Sequence, residues 1–371
     1  MGTVDLALEK LRRRPDIEGP DLPASDAADR LILDESATAR AAVDDGLVVV
    51  GDGYGALALG AAADGARGIR VHQDALTGEQ ALAANAAEFG LEGSFTSLPL
   101  APELVRGANV VLMRLPRSLD ALRDIAALVA GFAHPDVVVF AGGRLKHMTT
   151  AMNEVLGEHF ARVDVTHARQ KSRVLVARGP HDGHEPTPRR EQHDGLVVCA
   201  YGGAFAGTSI DIGTRFLLAH LPAPPNGDGD VIDLACGTGV VATTLALRHP
   251  EVRVYACDQS AAAVASAQAT AAANGVSDRV GVARDDMLRS RPDGSASFIA
   301  LNPPFHVGSA VHEGVAPRLF ADAARVLRTG GELWTVWNSH LQYRQALERS
   351  VGPTRQVARN AKFTVTASTR R

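Results

Sequence analysis

The chain has 371 residues, 46% of them apolar and 22% charged, with a formal net charge of -4. That length accommodates two domains with separate cores, and the composition is that of a soluble globular protein. The acidic excess excludes broad, non-specific nucleic-acid binding over the whole surface and leaves room for a local basic face.

The N-terminal stretch MGTVDLALEKLRRRPD lacks the apolar segment of a signal peptide, and Leu6 breaks the myristoylation pattern, so a cytoplasmic protein is expected. LVVVGDGYGALALG (47–60) reads as a strand, a glycine turn and the start of a helix. GIRVHQD follows as a second strand ending in Asp74, and ALTGEQALAANAAEFGL as a helix. VVLMRLPRS (110–118) supplies another strand. The apolar run IAALVAGFA (125–133) is too short to span a bilayer, so no membrane association is expected. GGRL from Gly142 and ARQKSRVLVA from Ala168 complete this half. Residues 179–195, rich in Pro, Gly, His and charge without apolar periodicity, read as a linker between domains 1–178 and 196–371.

After the linker the same order returns. VIDLACGTGVV (231–241) is a strand and a glycine turn, and VVATTLALRH reads as helical. RVYACD ends in Asp258, and SAAAVASAQATAAANG is an alanine-rich helix with Gly275 as its stop. ARDDM (283–287), SFIALNPPF (297–305), GGEL from Gly330 and ARNAKFTVTA from Ala358 follow. The interval from Gly55 to Asp74 equals that from Gly239 to Asp258, and the later segments match in order, which indicates an internal duplication. Alternating strands and helices predict βαβ units and a parallel sheet in each copy. Cys199, Cys236 and Cys257 form neither a paired framework nor a zinc pattern, so no metal is expected.

The copies differ at polar positions. Asp233 aligns with Val49, Asn302 with Leu115 and Phe305 with Ser118, so the first copy reads as a degenerate, non-catalytic domain. Gly237 and Gly239 let a ligand approach the backbone, with Ala235 in the place of an earlier glycine. Ala242 breaks the G-x-G-x-x-G dinucleotide pattern, and no P-loop lysine follows. Asp258, at a strand tip, can accept from both hydroxyls of a ribose, and Asp233 favours a cationic ligand over a phosphate-rich one. Asp285 or Asp286 would sit near the exocyclic amine of an adenine.

DLACGTG, Asp258, DDM and NPPF resemble, in order, the motifs of class I S-adenosylmethionine-dependent methyltransferases. NPPFHVG, with GGAFAGTSIDIGTRFLLAHLP (202–222) upstream and LPRSL (115–119) in the first copy, resembles the two-domain bacterial ribosomal RNA guanine-N2 methyltransferases. The sequence departs from that group at Ala235, where glycine is commoner, and at Val307, where an acid is expected. The resemblance implies an α/β protein of two tandem Rossmann-like domains with mostly parallel seven-stranded sheets, the N-terminal one degenerate. It implies S-adenosyl-L-methionine as cofactor. Asp233, Gly237 and Gly239 would line its methionine end, with Ala235 and Asn302 also among the cofactor-binding residues. Asp258 would hold the ribose, and Asp285 the adenine amine with help from the Asp286 backbone; the adjacent Gln259 would also touch the cofactor. Asp211 and Thr214 would close the pocket, although SIDIGTRFLL also reads as a helix cap and first turn.

The exocyclic amine of guanine is a poor nucleophile, and two acceptors on its hydrogens would orient it. The Asn302 side-chain carbonyl and the Pro303 backbone carbonyl are the candidates, with Phe305 stacking on the base for about 1–3 kcal/mol. A base within a helix must first be flipped out. His306 receives no role. The expected partner is ribosomal RNA or a ribosomal subunit, with the protein acting as a monomer. For phosphate contact the candidates are Arg114, Arg117, Arg144, Lys146, Arg169, Lys171 and Arg173 in the first copy, and Arg344, Arg349, Arg355, Arg359, Lys362, Arg370 and Arg371 at the C-terminus. Two alternatives stay open: methylation of adenine N6 or of a protein glutamine amide, and an RNA assembly factor without turnover.

Overall fold

Asp26 begins the first helix, α1 (Ala27–Ala41), as a capping box: its carboxylate accepts the Ala28 amide while Asp29 accepts the Asp26 amide. In the computed structural model, which describes residues 6–43, 45–225, 229–304 and 314–371, the chain divides into two units, Met1–Thr187 and Pro188–Arg371. Among the described residues no helix is long and apolar enough to cross a membrane.

The first unit continues with β1 (Leu47–Val50), α2 (Ala56–Ala63), β2 (Ile69–His72), α3 (Leu76–Phe89), β3 (Phe95–Ser97), α4 (Pro102–Val105), β4 (Val110–Arg114), α5 (Leu119–Phe132), β5 (Val138–Arg144), α6 (Thr150–Gly157), β6 (Phe160–Val165) and β7 (Ser172–Pro180). Its seven-stranded sheet has the order β3-β2-β1-β4-β5-β7-β6, with β7 antiparallel to both neighbours. All four residues of β1 are buried because the sheet is covered on both faces. Leu47 and Val49 join one apolar cluster with Leu57 and Leu59, and Val48 and Val50 join another with Leu122 and Ile125.

The second unit holds β8 (Arg189–His193), β9 (Leu196–Ala200), α7 (Ile212–Leu218), β10 (Asp230–Leu234), α8 (Val240–Arg248), β11 (Val254–Asp258), α9 (Ala261–Ala273), β12 (Val280–Arg284), β13 (Ala296–Leu301), α10 (Val315–Val326), β14 (Leu327–Asn338), α11 (Arg344–Ser350), β15 (Thr354–Arg359) and β16 (Phe363–Thr369). Its sheet order, β12-β11-β10-β13-β14-β16-β15, repeats that of the first unit strand for strand. The duplication is therefore one of topology as well as of sequence. Gly275, at φ 68°, follows α9 as expected, with the Val276 amide reaching back 3.0 Å to the Ala271 carbonyl.

The stretch 179–195 is not a plain linker. Pro180 still belongs to β7, and Arg189–His193 pair antiparallel with β9. The hairpin turns on Asp194 and Gly195, at φ 45° and 89°, the left-handed pair that a two-residue loop needs. The Asp-Gly dipeptide ahead of LVV carried that signal in the sequence, and the surrounding charge and proline obscured it.

Candidate active site

The site lies at the carboxyl ends of β10 to β13, beside the switch in strand order, where open parallel sheets bind their ligands. After β10 the backbone enters the left-handed region at Ala235, Gly237 and Gly239. A Cβ on Gly239 would stand 2.8 Å from that of Ala267, so α9 packs directly on the turn. A Cβ on Gly237 would meet nothing within 4 Å. Ala235 carries its methyl group at φ 58°, a strain of about 1 kcal/mol that a glycine would avoid.

Four acids stand at these strand tips. Asp233 is buried and accepts the Ala242 amide at 2.9 Å, stitching β10 to α8, and burial pushes its carboxyl up to about 7. Asp258 accepts the Gly237 amide with one oxygen and the Ser260 amide with the other, both at 3.0 Å. Carboxylate oxygens accept more than one hydrogen bond, so this geometry still suits a diol. Gln259 is exposed beside it. The Asp285 amide donates to the Asp258 carbonyl at 3.0 Å, which places the β12 tip next to β11. One Asp285 oxygen accepts from the Ser290 hydroxyl at 2.6 Å and the Ser290 amide at 3.1 Å, so this carboxylate also orders its own loop. Asp286 is buried and pairs with Arg289 at 3.0 Å, with burial raising its carboxyl.

Asn302 follows directly on β13. Its amide nitrogen donates to the Asp211 carboxylate at 3.1 Å and to the Thr214 hydroxyl at 2.9 Å. Its carbonyl oxygen is buried and has no hydrogen-bond partner among the described residues. Such an acceptor costs about 1–3 kcal/mol unless a ligand supplies a donor. Pro303 is buried and Pro304 exposed. Phe305, His306 and Val307 lie outside the described residues. Asp211 and Thr214, expected at the cofactor, are thus brought to Asn302. Sequence reasoning missed Asn338, which ends the neighbouring strand β14 with its own buried, unpartnered carbonyl oxygen among the described residues. Its position three residues beyond the register with β13 is a tertiary fact that no local pattern displays.

The first copy fills the same places differently. Gly55 starts α2 in the left-handed region as Gly239 starts α8. Here Asp52 accepts the Ala58 amide at 2.8 Å, taking the task of Asp233 from the position of Cys236, and burial pushes it up to about 6. Tyr54 stands between the glycines, with its hydroxyl on Asp16 at 2.6 Å and the Arg13 guanidinium 4.6 Å over its ring. The Asn85 amide ties the Tyr54 and Arg12 carbonyls together. The chain's own N-terminal segment therefore packs on this turn. The registers Val49↔Leu112 and Asp233↔Ala300 make Arg114, and not Leu115 as the sequence alignment has it, the counterpart of Asn302, because the strand register and not the proline sets the equivalence. At the tip of β4, Arg114 lies between Asp26 and Asp29 at 2.7 and 2.8 Å. That pairing corrects its reading as a phosphate contact. Arg169, Arg344 and Arg355 are likewise engaged, with Asp34 and Glu35, with Glu348 and with Glu332. Among the described residues no group of His, Cys, Asp and Glu could hold a metal ion.

Two known families divide the chain as the fold does: the RLMG N-terminal domain matches residues 3–181 and the methyltransferase small domain 195–367. A Streptomyces coelicolor protein named "Ribosomal RNA large subunit methyltransferase G" is 34% identical over 373 residues, covering 96% of each chain. One of the same name from Ectopseudomonas mendocina is 33% identical, covering 98% of each. The chain belongs to the ribosomal RNA large subunit methyltransferase G family. Both relatives align with this chain across its two units. The fold is shared with a T. thermophilus 16S rRNA N2 methyltransferase in complex with AdoMet and guanosine, at a TM-score of 0.74 and 20% identity over 93% of this chain and 92% of that one.

Proposed function

We propose that this protein is an S-adenosylmethionine-dependent methyltransferase that modifies the exocyclic N2 of a guanine in large-subunit ribosomal RNA. The observation that carries the reading is the Asn302 carbonyl oxygen, buried and lacking a donor among the described residues at the tip of β13. A planar amino group supplies that donor. The names of the relatives support ribosomal RNA of the large subunit as substrate.

S-adenosylmethionine supplies the methyl group, carried on a sulfonium. In this reading Asp258, with Gln259 beside it, holds the ribose, and Asp285 and Asp286 the adenine. Asp233, Ala235, Gly237 and Gly239 shape the turn around the methionine end, and the carboxylates suit its positive charge. Asn302 and the Pro303 carbonyl each accept one hydrogen of the guanine amine, which orients the nitrogen and favours the positive charge it gains. Phe305 stacks on the flipped base. Neither acceptor is basic, so the displaced proton passes to water. The first copy lacks these means: Arg114 offers only donors and a positive charge where Asn302 offers an acceptor.

The first domain serves RNA binding. Arg117 follows β4, Arg144 ends β5, Lys146 follows it, and Lys171 and Arg173 flank the first residue of β7. The register Gly143↔Arg173 brings these to one end of the sheet. Among the described residues none of the five forms an ion pair within 4.0 Å. Burial and then the charges of Arg117, Lys146 and Arg144 hold His147 below its ordinary value. The protein acts as a cytoplasmic monomer on RNA or a ribosomal subunit.

The test is nucleoside mass spectrometry of ribosomal RNA from cells with and without the protein. N2-methylguanine lost from large-subunit RNA supports the reading. Loss of N6-methyladenine, or methylation of protein alone, overturns the acceptor, and unchanged modification points to an assembly factor.

A further inference from the structure

We propose that Thr214 and Asp211 are positioning residues that lock the Asn302 amide in one orientation, so that the site admits an amine and rejects a carbonyl. The inference rests on the proposed methylation of an amino group. An asparagine amide offers donors on one side and an acceptor on the other, and a half-turn about its last bond exchanges them. The Asp211 carboxylate can only accept, and it stands 3.1 Å from the Asn302 nitrogen. The Thr214 hydroxyl, at 2.9 Å, takes the second hydrogen. A turned amide would set oxygen against the Asp211 carboxylate, which has no hydrogen to give, whereas the Thr214 hydroxyl can serve either orientation. Asp211 therefore sets the direction and Thr214 holds the second hydrogen, so the carbonyl faces the other way, where it is buried without a partner among the described residues.

The clamp is itself held. The same Asp211 oxygen accepts the Thr214 amide at 3.1 Å, capping α7 and fixing the spacing of the two partners. Gly213 lies between them in a place closed to any larger residue. A Cβ there would meet Asp211 at 2.9 Å and Phe363 at 3.2 Å, with the Asn302 oxygen 3.6 Å away. The first copy has the same tie between helix start and strand tip, made of Asp26, Asp29 and Arg114. There the strand tip bears a group with donors alone, so no acceptor is left over. The tie belongs to the fold, and the amide with its fixed direction belongs to the second copy.

The test uses the full-length protein, methyl-labelled S-adenosylmethionine and large-subunit RNA from cells lacking the protein. Thr214→Val keeps the shape and removes the acceptor, whereas Thr214→Ser keeps the hydroxyl. Asp211→Asn keeps a capping side chain but lets the amide turn. The expected result is a kcat about tenfold lower for Thr214→Val and Asp211→Asn, the factor for one missing hydrogen bond at the transition state. KM for RNA, calorimetric affinity for the cofactor and melting temperature should stay near wild type, and Thr214→Ser should restore the rate. Equal losses in the Val and Ser variants, an unchanged kcat in Thr214→Val, or a matching loss of cofactor affinity would overturn the clamp. Should wild type methylate adenine N6 or protein glutamine instead, the guanine reading falls, and the same variants still decide the clamp. A wild-type protein that transfers no methyl group overturns both.

Discussion

Asn302 and Asp233 both place a polar side chain at a strand tip, Asp233 buried and Asn302 half-buried with its carbonyl oxygen enclosed, yet their surroundings give them opposite tasks. Asp233 has its backbone partner in the Ala242 amide, whereas the Asn302 carbonyl oxygen has none among the described residues. Asn302→Ala should therefore lower kcat by roughly 10²–10³-fold, the scale for removing one preorganised polar partner. Calorimetric binding of S-adenosylmethionine should change little, and a variant with wild-type turnover would remove Asn302 from the chemistry. Asp233 reports instead through pH. Its carboxyl, up to about 7 when folded, ionises near 4 in the unfolded chain. The stabilisation of the protonated form is complete below about 4 and is lost as pH rises through about 7. Asp233→Asn keeps an acceptor for Ala242 and removes the titration. Its melting temperature relative to wild type should climb across that window, and a constant difference would show that Asp233 does not titrate there.

At the scale of the element, the turn between β10 and α8 separates packing from binding. Gly239 combines a φ of 74° with a neighbour at 2.8 Å, whereas Gly237 has a φ of 53° and open space. Gly239→Ala should cost about 1–3 kcal/mol, read as a lower denaturation midpoint. Gly237→Ala should lose about 1 kcal/mol and weaken cofactor binding more than its stability loss explains. Equal destabilisation by both would mean that the Gly237 face is not open. These elements were readable in the chain because a glycine turn and a strand of continuous apolar residues are local signals. The β8–β9 hairpin was equally local, in its Asp-Gly turn, and was masked by the charged residues of the exposed strand β8, which pairs with the buried β9. The clamp on Asn302 was not readable, because Asp211 and Asn302 are 91 residues apart and only the packing of α7 against the sheet unites them.

For the whole molecule, duplication followed by divergence explains why one copy keeps an open turn and the other closes it with Tyr54 and the N-terminal segment. The first copy's contribution is then electrostatic. Replacing Arg117, Lys146 and Lys171 together with alanine should weaken RNA binding similarly for all sequences. The slope of log K against log salt should become shallower by about 1 for each phosphate that the variant no longer neutralises, with cofactor affinity unchanged. Wild-type affinity and slope would show that RNA does not use this face.

The sequence by itself determined the two copies, the parallel order of their strands, the glycine turn and the difference at Asn302, because each is written in residues close along the chain or repeated at a constant interval. Only the tertiary structure decided what the polar residues do. It brought Asp211 and Thr214, expected at the cofactor, to Asn302 as hydrogen-bond partners, and set Arg114, a candidate RNA contact, in an internal ion pair. A buried hydrogen bond is directional and short, so its existence depends on which elements the fold brings within about 3 Å, and no composition or periodicity records that.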